Sequence, residues 1–348
     1  MDLKISILYL FISTLFFLSL GRACAYEQKE VVSQTMDKLG QGRVANNQDI
    51  AQGPYMSGLF SRRRAIIDRT LDDIEIKISF KIGYMTGDTT YDFDHHTSEL
   101  MFPFDNWMAG AEIGIKSGKF SFALDGWGSL GDSVGDKMTD KDWGGDVLIS
   151  STESQAKIDA VIWGASLRYD FYERSLNKNV DLLTLRRADK IRLGALLGYR
   201  YERFDFDLFD LYYPVLGITT NAGQKVGTYK IEYSLPYIGL AGDVSRKNYG
   251  LNANIKFAVF PTAKDVDNHL LRELTFYGDY DKPRRAWMYG ASAFWKPDDR
   301  WKISLGLQGE FILIDGITWE EQRDPAWDKD QETDLQQLIV WTGLQYKF

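Results

Sequence analysis

From Ile74 to Phe348 the sequence alternates apolar and polar residues with a period of two, and this pattern constrains the fold more than any other feature. Ile303, Leu305, Leu307, Phe311 and Leu313 alternate with Lys302, Ser304, Gln308 and Glu310. Leu251, Ala253, Ile255, Phe257 and Val259 alternate with Asn252, Asn254 and Lys256. Val161, Trp163, Ala165, Leu167, Tyr169 and Phe171 stand against Ser166, Arg168 and Asp170, and Phe120, Phe122 and Leu124 against Lys119, Ser121 and Asp125. Successive strand side chains point to opposite faces, so each segment is a strand with one apolar face and one charged face. A soluble sandwich would turn the apolar face inward. A transmembrane barrel turns it towards lipid and keeps the polar face inside.

Two features favour the barrel. Leu338, Val340, Thr342, Leu344, Tyr346 and Phe348 form one stripe ending on phenylalanine, which resembles the sorting signal on the last strand of outer-membrane barrels. The pattern also predicts ten strands, at about 74–92, 104–116, 119–130, 157–171, 190–207, 228–245, 249–262, 284–296, 300–315 and 334–348. Connections after even strands are mostly short (Ser117-Gly118, Arg246–Asn248, Pro297–Asp299) and those after odd strands long, with 172–189 as the exception. Short turns on one side and long loops on the other are the rule for such barrels. The expected fold is therefore all-β, a ten-stranded antiparallel transmembrane β-barrel over 73–348. Ten strands enclose a lumen that side chains can fill, which argues against an open channel. Lumenal Arg168, Arg192, Arg200, Lys256 and Glu310 are expected to form ion pairs within the wall.

The first 25 residues read as a signal peptide: Lys4, an apolar run from Ile5 to Leu20, then Ala23-Cys24-Ala25 as a small-x-small cleavage pattern. Residues 26–72 form a polar leader with no strong period, containing the basic cluster Arg62-Arg63-Arg64. Removing residues 1–25 removes the only cysteine, which suits an oxidising compartment. The net charge of −8 argues against nucleic acid as a partner. No later segment approaches the roughly 18 apolar residues of a membrane-spanning helix.

Chemistry is concentrated in two acidic stretches. Gly126-Trp127-Gly128-Ser129-Leu130-Gly131 leads into Met138-Thr139-Asp140-Lys141-Asp142-Trp143, in the loop expected after the third strand. Asp265-Val266-Asp267-Asn268-His269 falls in the loop expected after the seventh. By the strand count both loops lie on the extracellular rim. Asp267 and His269, two apart, share a face of an extended segment, and the carboxylate orients the imidazole and favours its charged form. Asp140 and Asp142 share a face likewise, and two close carboxylates cannot both ionise freely. An Asp-x-Asp pair is also found as a solvated loop or a calcium ligand pair. His95-His96 beside Asp92 and Asp94 has no diagnostic metal spacing, so no metal is expected. No Ser/His/Asp signature, phosphate loop or zinc helix is present.

Met-x-Asp-x-Asp-Trp at 138–143 and Asp-x-His at 267–269 resemble the omptin family of outer-membrane proteases. So do the Gly-Trp entry at 126–131, Leu235-Pro236-Tyr237-Ile238-Gly239-Leu240 and the C-terminal Gly343–Phe348. The likeness covers about 74–348. It implies an aspartic-type endopeptidase with Asp267 and His269 as a water-activating dyad and Asp140 with Asp142 as the facing pair. It also implies cleavage near basic residues, with Met138 and Asp265 as substrate-binding positions. Tyr91 is the third substrate-binding position, falling where the family has a second acidic specificity residue, with Asp92 adjacent. Tyr199 and Arg203 match wall positions that contact lipopolysaccharide, a possible requirement for activity, whereas Glu232 replaces a basic one. Peptide or protein substrates, outer-membrane lipid and a monomeric state are expected, with no cofactor. The alternatives are a catalytically inactive barrel serving as an adhesin or structural protein, a lipid acyl-ester hydrolase, and a small channel.

Overall fold

The computed structural model describes residues 74–93, 97–131, 133–175, 190–321 and 329–348. The expected signal peptide, the leader, Asp94, His95 and His96 lie outside the described residues. Thirteen strand segments are present among the described residues: β1 (Ile74–Phe93), β2 (Ser98–Pro103), β3 (Asn106–Ser117), β4 (Phe120–Ser129), β5 (Ser133–Gly144), β6 (Val147–Ser175), β7 (Lys190–Tyr213), β8 (Ile218–Arg246), β9 (Tyr249–Ala258), β10 (Thr262–His269), β11 (Leu274–Trp295), β12 (Trp301–Glu320) and β13 (Lys329–Lys347). They make ten staves, because β2 with β3, β4 with β5, and β9 with β10 are successive pieces of one stave each. Every pairing is antiparallel, and β1 pairs with β13 from Lys77↔Lys347 to Phe93↔Gln331, closing the ring. Closure satisfies the backbone groups that an edge would leave bare in hydrocarbon.

Alternation separates the two faces as expected. On β1, Ile74, Ile76, Phe80, Ile82 and Tyr84 are exposed, while Ser79 and Gly83 between them and Met85 after them are buried. The same exposed belt continues through Ile113 and Ile115, Phe120 to Leu124, Leu193 and Leu197, Leu251 to Phe257, and Ile303 to Leu307. So much apolar surface facing outward suits lipid. Aromatic pairs mark both of its edges. Phe120–Tyr169 and Trp301–Tyr346 lie at the end carrying Phe348, with ring centroids 5.0 and 4.8 Å apart. Tyr84–Trp107 and Trp163–Tyr199 lie at the opposite boundary, both at 5.4 Å.

The interior has two storeys. Next to the Phe348 end it is charged: Arg168 bonds Asp170 at 2.6 Å and Asp243 at 2.5 Å, Arg192 approaches Asp243 at 3.5 Å, and Arg200 bridges Glu202 and Glu310. Lys256 lies over the Tyr237 ring, 4.7 Å from its centroid. Beyond this the inward face becomes aromatic and aliphatic, with Phe102, Phe104, Phe204, Phe206, Tyr229, Ile231, Ile312, Ile314 and Ile339 all buried. The Phe102 and Tyr229 rings stack at 4.0 Å and 11°, an arrangement that adds about 0.5–1.5 kcal/mol beyond area burial.

The expected long loops are a point of difference. Residues read as loops after the odd strands are strand instead, so the hairpins project well past the belt and close in brief turns such as Gly145-Asp146 and Leu270–Glu273. Asp140 and Asp142 lie on β5, and Asp265, Asp267 and His269 on β10. Outside the lipid both strand faces tolerate polar residues, so the apolar alternation that reveals a strand is lost. The connection expected at 172–189 is shortened by β6, which runs to Ser175.

At Gly87 the backbone adopts φ +121°, and an added Cβ would lie 1.9 Å from the Gln336 carbonyl oxygen at the β1–β13 seam. Gly87→Ala is expected to destabilise the barrel by more than about 2 kcal/mol, read as a lower denaturant midpoint in detergent. The Gly-Trp motif has a packing role: Trp127 is buried over Gly110, where a Cβ would meet the indole at 2.6 Å.

Candidate active site

The site lies above the apolar storey. On β10 the period of two turns Ala263, Asp265, Asp267 and His269 inward, the first three of them buried. His269 Nε2 is 3.0 Å from Asp267 Oδ2, and the imidazole meets the Phe276 ring edge-on at 5.4 Å. On the opposite wall, register sets Tyr91 of β1 beside Leu100 of β2, and Leu100 beside Asp140 of β5. Asp142 follows two residues on, paired with Ser98. Asp140, Asp142 and His269 line one cleft of about 610 Å³ with Tyr91, Phe93, Arg272, Phe276, Trp319 and Glu320 among its other walls.

Burial and then the neighbouring charge of Asp142 push the Asp140 carboxyl up to about 6, against a smaller opposing effect of His269. For His269, burial works against the charged form, but the hydrogen bond and charge of Asp267 outweigh it and raise the imidazole above its ordinary 6.5. Burial also pushes Asp265 up to about 7, although Tyr280 and Tyr229 donate hydrogen bonds to its Oδ2 at 2.8 and 3.0 Å.

The other expected residues fall in different places. Met138 is buried in the apolar storey. Asp265 sits beneath the cleft, enclosed by Tyr229, Tyr280 and Gly278, and is 5% exposed. Tyr91 lines the cleft and donates to Asp267 Oδ2 at 2.8 Å. Tyr199 and Arg203 lie on the outer wall; Tyr199 donates to Ser234 Oγ at 3.0 Å, and Arg203 donates to both oxygens of Asp205 at 2.7 and 3.0 Å. Sequence reading missed Tyr229 and Tyr280 as partners of Asp265, and Arg272, Phe276 and Trp319 as walls of the cleft. Tyr229 on β8 and Phe276 and Tyr280 on β11 are signalled only by their inward-facing registers, whereas Arg272, in the turn after β10, and Trp319, on the exposed phase of β12, carry no such signal. Among the described residues no group of three or more His, Cys, Asp or Glu is arranged to hold a metal ion.

A closed antiparallel barrel with a lipid-facing belt defines an outer-membrane barrel, and above the belt His269, bonded to Asp267, shares one cleft with Asp140 and Asp142. The chain belongs to the omptin family, whose model matches residues 70–303. It is 29% identical over 166 residues to the outer membrane protease IcsP of Shigella flexneri, covering 45% of this chain and 50% of that protein. It is 31% identical over 155 residues to the plasminogen activator of Yersinia pestis, covering 43% and 46%. The chain thus spans about half the length of the curated relatives it matches. The crystal structure of the outer membrane protease OmpT from Escherichia coli superposes with a TM-score of 0.64 at 17% identity, covering 79% of this chain and 97% of that one.

Proposed function

We propose that this barrel is a surface-exposed endopeptidase of the aspartic type, which hydrolyses peptide bonds with a water activated by Asp267 and His269. The observation that carries the reading is His269, bonded to the buried Asp267, sharing one cleft with Asp140 and Asp142. With Nε2 directed at Asp267, Nδ1 is the nitrogen able to take a proton from water. Water oxygen attacks the carbonyl carbon as His269 accepts its proton; His269 then delivers a proton to the amide nitrogen as the carbon–nitrogen bond breaks. Asp140 and Asp142 hold the water from the other side, and no acyl-enzyme forms. The cleft opens on the rim opposite the Phe348 end, which is the extracellular rim in this reading.

Peptides carrying basic residues near the scissile bond are the proposed substrates, because Asp140, Asp142 and Glu320 outnumber Arg272 among the charged walls. In this reading Asp265 acts from below the cleft floor. Cleavage of a peptide library by barrel purified with lipopolysaccharide, followed by mass spectrometry in ¹⁸O-water, tests the proposal. One label is expected in each new carboxyl group, with fragments ending at basic residues; an intact library overturns it and favours an inactive barrel.

The proton-accepting form of His269 is neutral, and its raised pKa keeps it charged to higher pH. The acid limb of kcat/KM is therefore expected above pH 6.5, with activity falling as pH drops through it. Lipopolysaccharide contact at Tyr199 and Arg203 is a further part of the proposal. A phosphate there competes with Asp205 for the Arg203 guanidinium, so stripping the lipid is expected to lower activity, and re-addition to restore it.

A further inference from the structure

We propose that Tyr91 is a positioning residue, whose phenol fixes the Asp267 carboxylate and through it the His269 ring. The proposal rests on the hydrolytic reading of that pair. Tyr91 donates to Asp267 Oδ2 at 2.8 Å, the same oxygen that His269 Nε2 approaches at 3.0 Å. The two partners come from different walls. His269 shares β10 with Asp267, whereas Tyr91 reaches across from β1, which does not pair with β10. A carboxylate held from one side can still turn about its last torsion. Donors from two directions on one oxygen set its plane, and with it the line along which the imidazole is held.

The phenol itself is immobilised by packing. Tyr91 is 2% exposed, its ring stacks on Tyr229 at 5.5 Å and on Phe102 at 6.3 Å, and it meets Phe93 edge-on at 5.1 Å. Forming this hydrogen bond therefore costs little further side-chain freedom. A carboxylic side chain pointing the same way would bring a second negative charge against Asp267. A tyrosine makes the contact attractive, so the residue that departs from the family's acidic pattern serves the dyad.

Around His269 the charged and titratable groups are Asp267 on its own strand, Asp140 from β5 and Arg272 from the turn after β10. Asp142 and Glu320 line the same cleft. Against this fixed background, Tyr91→Phe removes one donor from Oδ2, leaving the carboxylate to bind the imidazolium more tightly. The expected result is a kcat lower by about 10- to 100-fold with KM changed less than about twofold, and an acid limb moved up by about half a pH unit. Incorporating 3-fluorotyrosine at position 91 keeps the ring and hydroxyl but strengthens the donor, so the acid limb is expected to move down; it also serves if Tyr91→Phe fails to fold. An acid limb unmoved in the folded variants overturns the role of Tyr91. If His269→Ala is inactive in the same assay, the hydrolytic reading survives that result; if His269→Ala retains full activity, the hydrolytic reading itself is overturned.

Discussion

His269→Ala is expected to lower kcat for peptide hydrolysis by roughly 10³-fold or more, the upper part of the range for losing a positioned general base. The side chain stands at the end of β10, is 29% exposed and is bonded to Asp267, so its removal leaves no deep cavity in the apolar storey. The barrel should therefore keep its heat-modifiable migration on gels. Asp140→Ala is expected to cost a similar factor, and the double variant little more than either single one, because groups acting as a unit are strongly non-additive. Activity within tenfold of the parent for both single variants would contradict the assignment.

Arg200→Met is expected to destabilise the barrel by about 3–5 kcal/mol, the range for breaking a buried ion pair by removing one partner. Arg200 joins Glu202 and Glu310 inside the charged storey, and all three are at most 5% exposed. Without the guanidinium, two carboxylates face each other away from water. Denaturant titration in detergent should show the fall in midpoint, and Arg200→Met combined with Glu310→Gln should recover part of it. Equal midpoints for parent and single variant would mean that the lumen rehydrates these carboxylates at no cost.

The sequence was most readable where lipid acts on the chain. At Leu251 to Phe257 and Ile303 to Leu307 the surroundings require an apolar residue at every second place, so the strand is written in the composition. At 262–269 the outside is aqueous, and Lys264, Val266 and Asn268 on that face carry no such signature. The segment therefore looked like a loop although it is strand throughout. Leu313 follows the outward alternation in the sequence but is 8% exposed, although it is not part of the inner apolar cluster that takes in Ile312 and Ile314.

The site was legible through spacing and less so through contact. Asp-x-Asp and Asp-x-His each state that two side chains share a face, and they do so on β5 and β10. The meeting of those faces depends on how far each stave rises and how the ring curls, which no local pattern encodes. Tyr91 and Asp267 are 176 positions apart, and the sequence marks Tyr91 only as a substrate-binding position where an acid is expected. The enclosure of Asp265 by two tyrosines was invisible for the same reason, since Tyr229 and Tyr280 come from separate strands.

The seam between β1 and β13 bears on when Tyr91, Asp267 and His269 come together. Tyr91 is on β1, while Asp267 and His269 are most of the circumference away along β2, β5, β6, β7 and β8. Only when the two end strands zip does the sheet curl far enough to bring these walls face to face. A chain with its ends apart carries every one of these side chains without the proposed site, so in the hydrolytic reading activity is expected to wait on closure of the ring.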